Sequence, residues 1–198
     1  WDLWIGPAPF RPYVEGAYLP FVWRGWWDFG TGVLGDIGCH NFAAIFKALN
    51  LGHPTSVEAT STAAQSPPEV NNESAPIASI VRYEFPAVGE RPAVSLTWWD
   101  GGLMPPRPVE LEPGRAYGGG DGMMYIGDKG KMLNHRIIPE SRNQEYGTPP
   151  QKLPRSPGHC KEWVNACKGG EPAGSNFDVA GPLAEVVLLG NIAIRTQQ

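Results

Sequence analysis

Asp36 and His40 are the two residues whose types and spacing best suit chemistry in this 198-residue chain. They lie four positions apart in a segment whose apolar residues recur with helical spacing, so both share one helix face. A histidine exchanges protons near neutral pH, and a carboxylate one turn away can fix its tautomer. The spacing indicates an acid/base pair. The structural alternative is that Asp36 only favours the helix N-terminus and His40 is a satisfied, half-buried residue.

The helix that must carry this pair is expected over residues 31–50. Its apolar positions, among them Leu34 and Phe42, fall about 160–240° around the helix axis from Asp36. The pair should therefore face away from the side of the helix that packs. Gly52 and Pro54 end the helix.

A long aromatic loop, residues 10–29, precedes this helix and holds candidate substrate-binding residues. Aromatic rings offer flat surfaces on which a ligand can stack, and a guanidinium beside them can donate hydrogen bonds to it. We assign substrate binding to Trp23, Arg24, Trp26 and Trp27, with His159 as an additional candidate. The alternative is that most of these aromatic residues form an apolar strap over the core.

The rest of the chain predicts mostly hairpins followed by helices. Strands are expected in residues 1–5, 55–62, 77–85, 93–99, 123–126 and 131–133, loops over 65–76 and 139–156, and helices beginning at 156 and 175. Cys160, Trp163, Val164 and Cys167 give the first of those helices an apolar stripe. This order favours an α+β fold, an open, mostly antiparallel sheet with helices on one face, as a single domain over residues 1–198.

Composition excludes several classes of partner. The net charge of −4 and the absence of a basic cluster argue against nucleic acid. No apolar run in the sequence reaches the ~20 residues that span a bilayer, so we expect no membrane partner. The three cysteines have no disulfide or zinc spacing, and no metal is expected. The chain begins without methionine, so we expect it to be part of a longer protein.

Residues 30–35 fit the dinucleotide pattern G-x-G-x-x-G, but an aromatic loop rather than a strand precedes them. Residues 118–122 are also glycine-rich, but they lack the Lys-Ser/Thr of a phosphate loop. We interpret the glycines of both segments as giving the backbone conformational freedom rather than as forming cofactor sites.

The segment 23–40, WRGWWDFGTGVLGDIGCH, closely resembles the start of the C-terminal domain of bacterial Gfo/Idh/MocA-type oxidoreductases. Further similar blocks occur in the family's order: WDLWIGPAP at 1–9, YIGDKGK at 125–131, SNFD at 175–178, GPL at 181–183 and LGN at 189–191. The resemblance therefore covers nearly the whole chain.

The resemblance implies a two-domain enzyme for sugars, inositols or related polyols, in which an N-terminal Rossmann domain binds NAD or NADP. The family's D-x-x-x-H motif matches Asp36 and His40, which implies that His40 is the acid/base and Asp36 its partner. The family's Glu-Lys-Pro motif and its glycine-rich NAD loop have no match in this sequence. We therefore expect no turnover and no bound cofactor for this chain alone.

Several functional alternatives stay open from the sequence. One is NAD-assisted glycoside hydrolysis within the same family, and another is a non-catalytic carbohydrate-binding or dimerisation module. The expected partners are a small carbohydrate or polyol, the chain's own Rossmann domain and, through the sheet face, a further copy of the chain. We expect a cytoplasmic parent protein, with periplasmic export as the alternative.

Overall fold

The computed structural model of the chain describes residues 1–65, 67–118 and 120–196. They form two compact units, the first built from residues 1–104 together with residues from 180 onward, and the second from residues 105–179. The single domain expected over residues 1–198 stays a prediction, because compactness alone does not show which parts of a chain fold independently.

Helices and two antiparallel three-stranded sheets make up the described residues, which confirms the predicted α+β class. The helices are α1 (Asp2–Ile5), α2 (Gly32–Leu49), α3 (Pro68–Glu73), α4 (Glu140–Tyr146), α5 (His159–Cys167) and α6 (Phe177–Thr196). The strands are β1 (Ser56–Ser61), β2 (Ser79–Phe85), β3 (Val94–Trp99), β4 (Met124–Gly127), β5 (Gly130–Leu133) and β6 (Arg136–Ile138). Two 3-10 turns cover Val22–Gly25 and Thr62–Gln65.

The first sheet, in the order β1-β2-β3, packs one face against α2 and α6. Alternate residues of a strand point to the same side, so Val81, Tyr83 and Phe85 of β2 enter the core together. The other members of this core come from β3, α2, the segment after α2, and α6: Leu96, Trp98, Leu34, Phe42, Phe46, Leu51, Leu183, Val186, Val187 and Ile194. The predicted placement of helices on one face of the sheet is confirmed.

A glycine lets α6 approach this core closely. A Cβ on Gly190 would lie 2.0 Å from the Tyr83 hydroxyl oxygen and 2.7 Å from Leu34 Cδ2. Backbone of α6 therefore lies directly against a side chain of α2 and a side chain of β2. This packing fixes the rotation of α2 about its axis, and thus which of its residues face outward.

By length and composition alone, α6 could cross a membrane. The sequence prediction that no run reaches that length overlooked this helix. Seven of its residues, including Leu183 and Ile194, are nevertheless buried within the protein. Helices in protein cores meet the same length and composition criterion.

Most predicted elements of the sheets are confirmed. β1, β2 and β3 lie within the strands expected over residues 55–62, 77–85 and 93–99, and β2 and β3 pair as the expected hairpin. The hairpin of β4 and β5 is confirmed as well. β6 was missed because three residues are too few to reveal an alternating pattern.

Three local predictions are wrong. Residues 1–5 contain the helical turn α1 rather than a strand, since the Ile5 amide donates to the Trp1 carbonyl and the rings of Trp1 and Trp4 stack. The expected loops at 65–76 and 139–156 contain α3 and α4, and each of these helices starts next to a proline, which suits a first helical turn. Within the first of those loops, Ser66 lies outside the described residues.

The stripe predicted on α5 is not a packing face. The helix starts at His159 rather than at 156, with Gly158 as its N-cap residue. Trp163 is 66% exposed, and both Cys160 and Cys167 are exposed free thiols. The helical spacing of apolar residues therefore predicted the helix correctly but did not show whether its apolar face is buried.

Charged groups organise the second unit around β5 and α4. Lys131 Nζ lies 2.9 Å from Glu110 Oε2, and this contact lowers the pKa of the Glu110 carboxyl. Glu112 accepts a hydrogen bond from the backbone N–H of Glu140 and forms an ion pair with Arg115 at 3.1 Å. The backbone N–H, more than the arginine, lowers the pKa of Glu112.

Candidate active site

The outward face of α2 carries the two residues that the sequence singled out. Leu34, Phe42 and Phe46 are buried on the inner face, whereas Asp36 is half-buried and His40 is exposed. Because the inner face is held by the sheet and α6, the two polar residues are fixed on the open side. The orientation predicted from the helical spacing agrees with this arrangement.

Asp36 forms an ion pair with Arg24 of the aromatic loop. Arg24 Nε lies 2.6 Å from Asp36 Oδ2, and each side chain is 32% exposed. The contact has the geometry of a close ion pair rather than of an aligned hydrogen bond, because Nε is buried without a hydrogen-bond acceptor in line. One of the four loop residues assigned to substrate binding is thus in direct contact with the α2 pair.

Two aromatic rings fix the guanidinium of Arg24. Its central carbon lies 4.6 Å from the centroid of the Phe21 ring and 5.2 Å from that of Trp23. Contacts of this kind stabilise a cation and restrict its side-chain rotamers. Trp23 therefore belongs to the candidate site through Arg24. Phe21, which the sequence assignment omitted, belongs to it as well.

The backbone before Arg24 adopts an uncommon conformation. Phe21 has φ 66° and ψ −34°, and the Val22 amide donates to the Pro20 carbonyl at 2.8 Å, which closes a tight γ-turn. A bulky residue with positive φ is a strained position. The turn is followed at once by the 3-10 turn Val22–Gly25 that carries Arg24.

Gly30 permits this turn to lie against the start of α2. A Cβ on Gly30 would come within 2.6 Å of the Arg24 carbonyl oxygen and 2.7 Å of its Cα. No side chain larger than hydrogen fits there without moving the Arg24 backbone. Gly30 therefore sets the position of Arg24 relative to Asp36.

His40 makes no hydrogen bond or ion pair with any residue in the described part of the chain. The geometry therefore leaves its ring nitrogens free for a ligand or for solvent. Asp36 is engaged by Arg24 instead, and the Cys39 thiol donates to the Asp36 backbone carbonyl at 3.4 Å. The assignment of Asp36 as partner of His40 stays a prediction.

Trp26 and Trp27 lie elsewhere in the first unit. Trp26 donates its indole N–H to the Ala17 carbonyl and packs on Tyr18. The Trp27 ring lies 5.4 Å from the guanidinium of Arg195 on α6. The structure thus brings Trp23 and Arg24 to Asp36 but directs the other two tryptophans into packing contacts.

Trp26 belongs to a group that we call the Arg11 cluster. Its aromatic members, which contact one another or Arg11, are Trp1, Trp4, Tyr13, Tyr18, Trp26 and Phe29. Arg11 stacks on Trp26 and Phe29 and pairs with both Asp28 and Glu73. Much of the aromatic loop is therefore a packed strap, the structural alternative considered from the sequence.

His159 is the first residue of α5 in the second unit, where it is exposed. Its assignment to substrate binding stays a prediction.

The glycines of residues 30–35 do not fit a dinucleotide. Hypothetical Cβ atoms on Gly30, Gly32 and Gly35 would meet Arg24, Ala75 and Thr31, so the space beside these glycines is filled by the protein itself. A phosphate-binding loop would instead leave that space to the pyrophosphate. In the other glycine-rich segment, 118–122, Gly119 lies outside the described residues.

Comparison with known families bears on the same part of the chain. Residues 1–75 match the Gfo/Idh/MocA oxidoreductase family, C-terminal alpha/beta domain. No curated protein matches the chain. The matched residues include Arg24, Asp36 and His40, but not His159. Over these residues the chain is similar to the C-terminal domain of the Gfo/Idh/MocA-type oxidoreductases.

Proposed function

We propose that this chain is the substrate-binding half of an NAD(P)-dependent oxidoreductase that acts on a sugar, an inositol or a related polyol. The observation that carries the proposal is His40, which is exposed and pairs with none of the described residues. It lies one helical turn from the Arg24–Asp36 ion pair, within residues that match an oxidoreductase family. The dinucleotide belongs, in this proposal, to a separate Rossmann domain, because the glycines of residues 30–35 do not fit it.

His40 is the acid/base of the proposed site. Its exposed imidazole accepts the proton of a substrate hydroxyl during oxidation and returns it during reduction. Asp36 lies on the same helix face and accepts a hydrogen bond from a second hydroxyl, which orients the sugar ring. Trp23 offers a ring face next to this position, and apolar faces of sugars stack on such rings.

The test of His40 uses the intact parent enzyme. Replacing His40 with alanine should lower kcat by roughly 10²–10⁴-fold, the usual contribution of a positioned acid/base. His53→Ala is the matched control, since His53 is an exposed histidine of the same unit that contacts Glu185 at 3.6 Å. If both variants keep the wild-type kcat, His40 is not the acid/base, and a non-catalytic carbohydrate-binding role of this chain within the parent enzyme is favoured.

The isolated chain should bind no nicotinamide cofactor and should have no turnover. Equilibrium titration of the 198-residue chain with NAD and with NADP tests this expectation. Tight binding of either cofactor contradicts the proposed division of labour between the domains.

We also propose that the outward face of the first sheet pairs with a second copy of the chain. This face is polar: Glu58 lies opposite Arg82 in the register, and Ser95 donates to Glu84 at 2.6 Å. Sedimentation velocity of the wild type and of Arg82→Glu should show an oligomer that the charge reversal weakens. An oligomer that Arg82→Glu leaves unaffected uses another surface.

A further inference from the structure

We infer that Arg24 and Asp36 act as one charge-compensated unit that binds two neighbouring hydroxyls of a neutral sugar or polyol, with both residues in contact with the ligand. This inference rests on the proposed function and specifies its substrate class. It assigns Asp36 a partner other than His40, and it selects neutral ligands over acidic sugars.

The ion pair leaves a donor and an acceptor unused. The contact joins Arg24 Nε to Asp36 Oδ2. Among the described residues, neither the terminal nitrogens of Arg24 nor Asp36 Oδ1 makes a hydrogen bond. The side chains of Arg24 and Asp36 are each 32% exposed, so a ligand can reach the pair. A guanidinium N–H thus remains available next to a carboxylate oxygen.

A vicinal diol has the matching chemistry. Each hydroxyl donates one hydrogen bond and accepts others, so one can donate to Asp36 while its neighbour accepts from Arg24. Bonds of this kind to charged partners are stronger than neutral ones. Trp23, whose ring already contacts Arg24, offers the apolar face on which a sugar ring stacks.

The charges of the unit favour a neutral ligand. The positive charge of Arg24 is balanced by Asp36 at 2.6 Å, and the carboxylates Asp28 and Glu73 are paired with Arg11. A ligand carboxylate placed on the guanidinium would also face the negative charge of Asp36, which opposes its binding. An uncompensated arginine would have the opposite preference, because its planar fork matches a carboxylate.

Several independent features of the chain place Arg24 on Asp36. They are the strained γ-turn at Phe21, the two ring contacts of the guanidinium and the close approach of Gly30 to the Arg24 backbone. Phe21 is 68% exposed, so burial of its own ring does not explain the strained backbone. Strain of this type concentrates at functional sites, where it holds a group in place.

The test titrates the 198-residue chain with methyl glucopyranoside and with methyl glucopyranosiduronate, which differ in charge but share a sugar ring. Binding is followed by the tryptophan fluorescence and by the NMR signals of Arg24 and His40. The wild type should bind the neutral glycoside more tightly than the acid. Arg24→Gln should weaken binding of the neutral glycoside about tenfold, the usual effect of one hydrogen bond to a charged group.

Two further variants separate positioning from charge. Asp36→Asn leaves Arg24 uncompensated and should reverse the preference, so that the acid binds more tightly than the neutral glycoside. Arg24→Lys keeps the charge without the planar fork, and it should weaken the neutral glycoside about as much as Arg24→Gln does. Arg155→Gln changes an exposed arginine of the second unit; it is the control and should change neither affinity.

Each outcome bears on the inference. An unchanged preference in Asp36→Asn, or wild-type affinity in Arg24→Lys, overturns it while the proposed sugar or polyol function stands. If the folded wild type binds neither probe, both this inference and the carbohydrate specificity of the proposed function are wrong. Far-UV circular dichroism confirms that each variant is folded before its affinity is interpreted.

Discussion

Two arginines thirteen positions apart in the aromatic loop have similar surroundings and different consequences. Arg11 and Arg24 each lie over two aromatic rings, at 5.3–5.6 Å and 4.6–5.2 Å respectively. Arg11 pairs with two carboxylates, Asp28 and Glu73, and its side chain is only 17% exposed. Among the residues that the structure describes, Arg24 pairs only with Asp36, and its side chain is about twice as exposed, at 32%.

This difference distinguishes an arginine that holds the protein together from an arginine that can bind a ligand. Both ends of the Arg11 guanidinium are used within the protein, so this residue holds the loop together and has little left for a ligand. The Arg24 guanidinium contacts a carboxylate through one nitrogen among the described residues. Variants that disturb one centre and spare the other can test this distinction.

The largest expected effect is that of Gly30→Ala. The added methyl would overlap the Arg24 backbone at 2.6 Å, so we expect a loss of about 1–3 kcal/mol of unfolding free energy together with displacement of Arg24. Gly25→Ala is the matched control, because nothing lies within 4 Å of its added Cβ. Urea denaturation measures both variants, and equal midpoints would contradict the close packing at Gly30.

Arg11→Gln should come next. It removes two ion pairs and two ring contacts at a mostly buried guanidinium, and we expect it to destabilise the first unit by about 1–2 kcal/mol. Thermal unfolding followed by near-ultraviolet circular dichroism reports on the tryptophans of the Arg11 cluster. A wild-type transition would show that the cluster does not depend on its arginine.

Arg24→Gln should have the smaller effect on stability. It removes two ring contacts, as Arg11→Gln does, but only one ion pair. That ion pair contributes at most about 1 kcal/mol, because water screens a side chain that is about a third exposed. The same denaturation experiment therefore ranks the two arginines. A loss for Arg24→Gln as large as that for Arg11→Gln would remove the contrast between a structural and a binding cation.

The smallest effect is expected for Glu112→Gln in the second unit. Glu112 contacts a third arginine, Arg115, at 3.1 Å, and Arg115 also lies 3.7 Å from Glu140. The folded pKa of Glu112 is lowered, first by the Glu140 backbone N–H. The ionised Glu112 carboxylate therefore stabilises the fold fully above the pKa that it has in the unfolded chain. This stabilisation is lost as the pH falls through the lower pKa of the folded state. Amide signals of β6, followed from pH 6 to pH 3, should broaden less steeply in Glu112→Gln than in the wild type.

Much of the fold was predictable because its signals are local. The apolar spacing of α2 gave both its bounds and its inward face, and alternation in β2 and β3 gave the hairpin. β6 and α1 were not predictable, because elements of three or four residues are too short to show a repeating pattern of apolar residues. The exposure of Trp163 was missed because periodicity identifies a helix without showing what covers it.

The candidate site was predictable only in part. Asp36 and His40 share a helix face, and that follows from spacing alone. The contact of Asp36 with Arg24 depends on a γ-turn at Phe21, a conformation that no residue pattern specifies. The separation of Trp23 from Trp26 and Trp27 likewise follows from tertiary packing, because three nearby tryptophans look equivalent in sequence.

The chain order of the two units has a consequence for folding during synthesis. Residues 105–179 form a unit of their own and are made before the greater part of α6. Yet α6 supplies Leu183, Val187 and Ile194 to the core of the first unit, where its Gly190 lies against Leu34 of α2. On the ribosome, the inner face of the helix that carries Asp36 and His40 thus lacks part of its packing partner until residues 183–194 have been made.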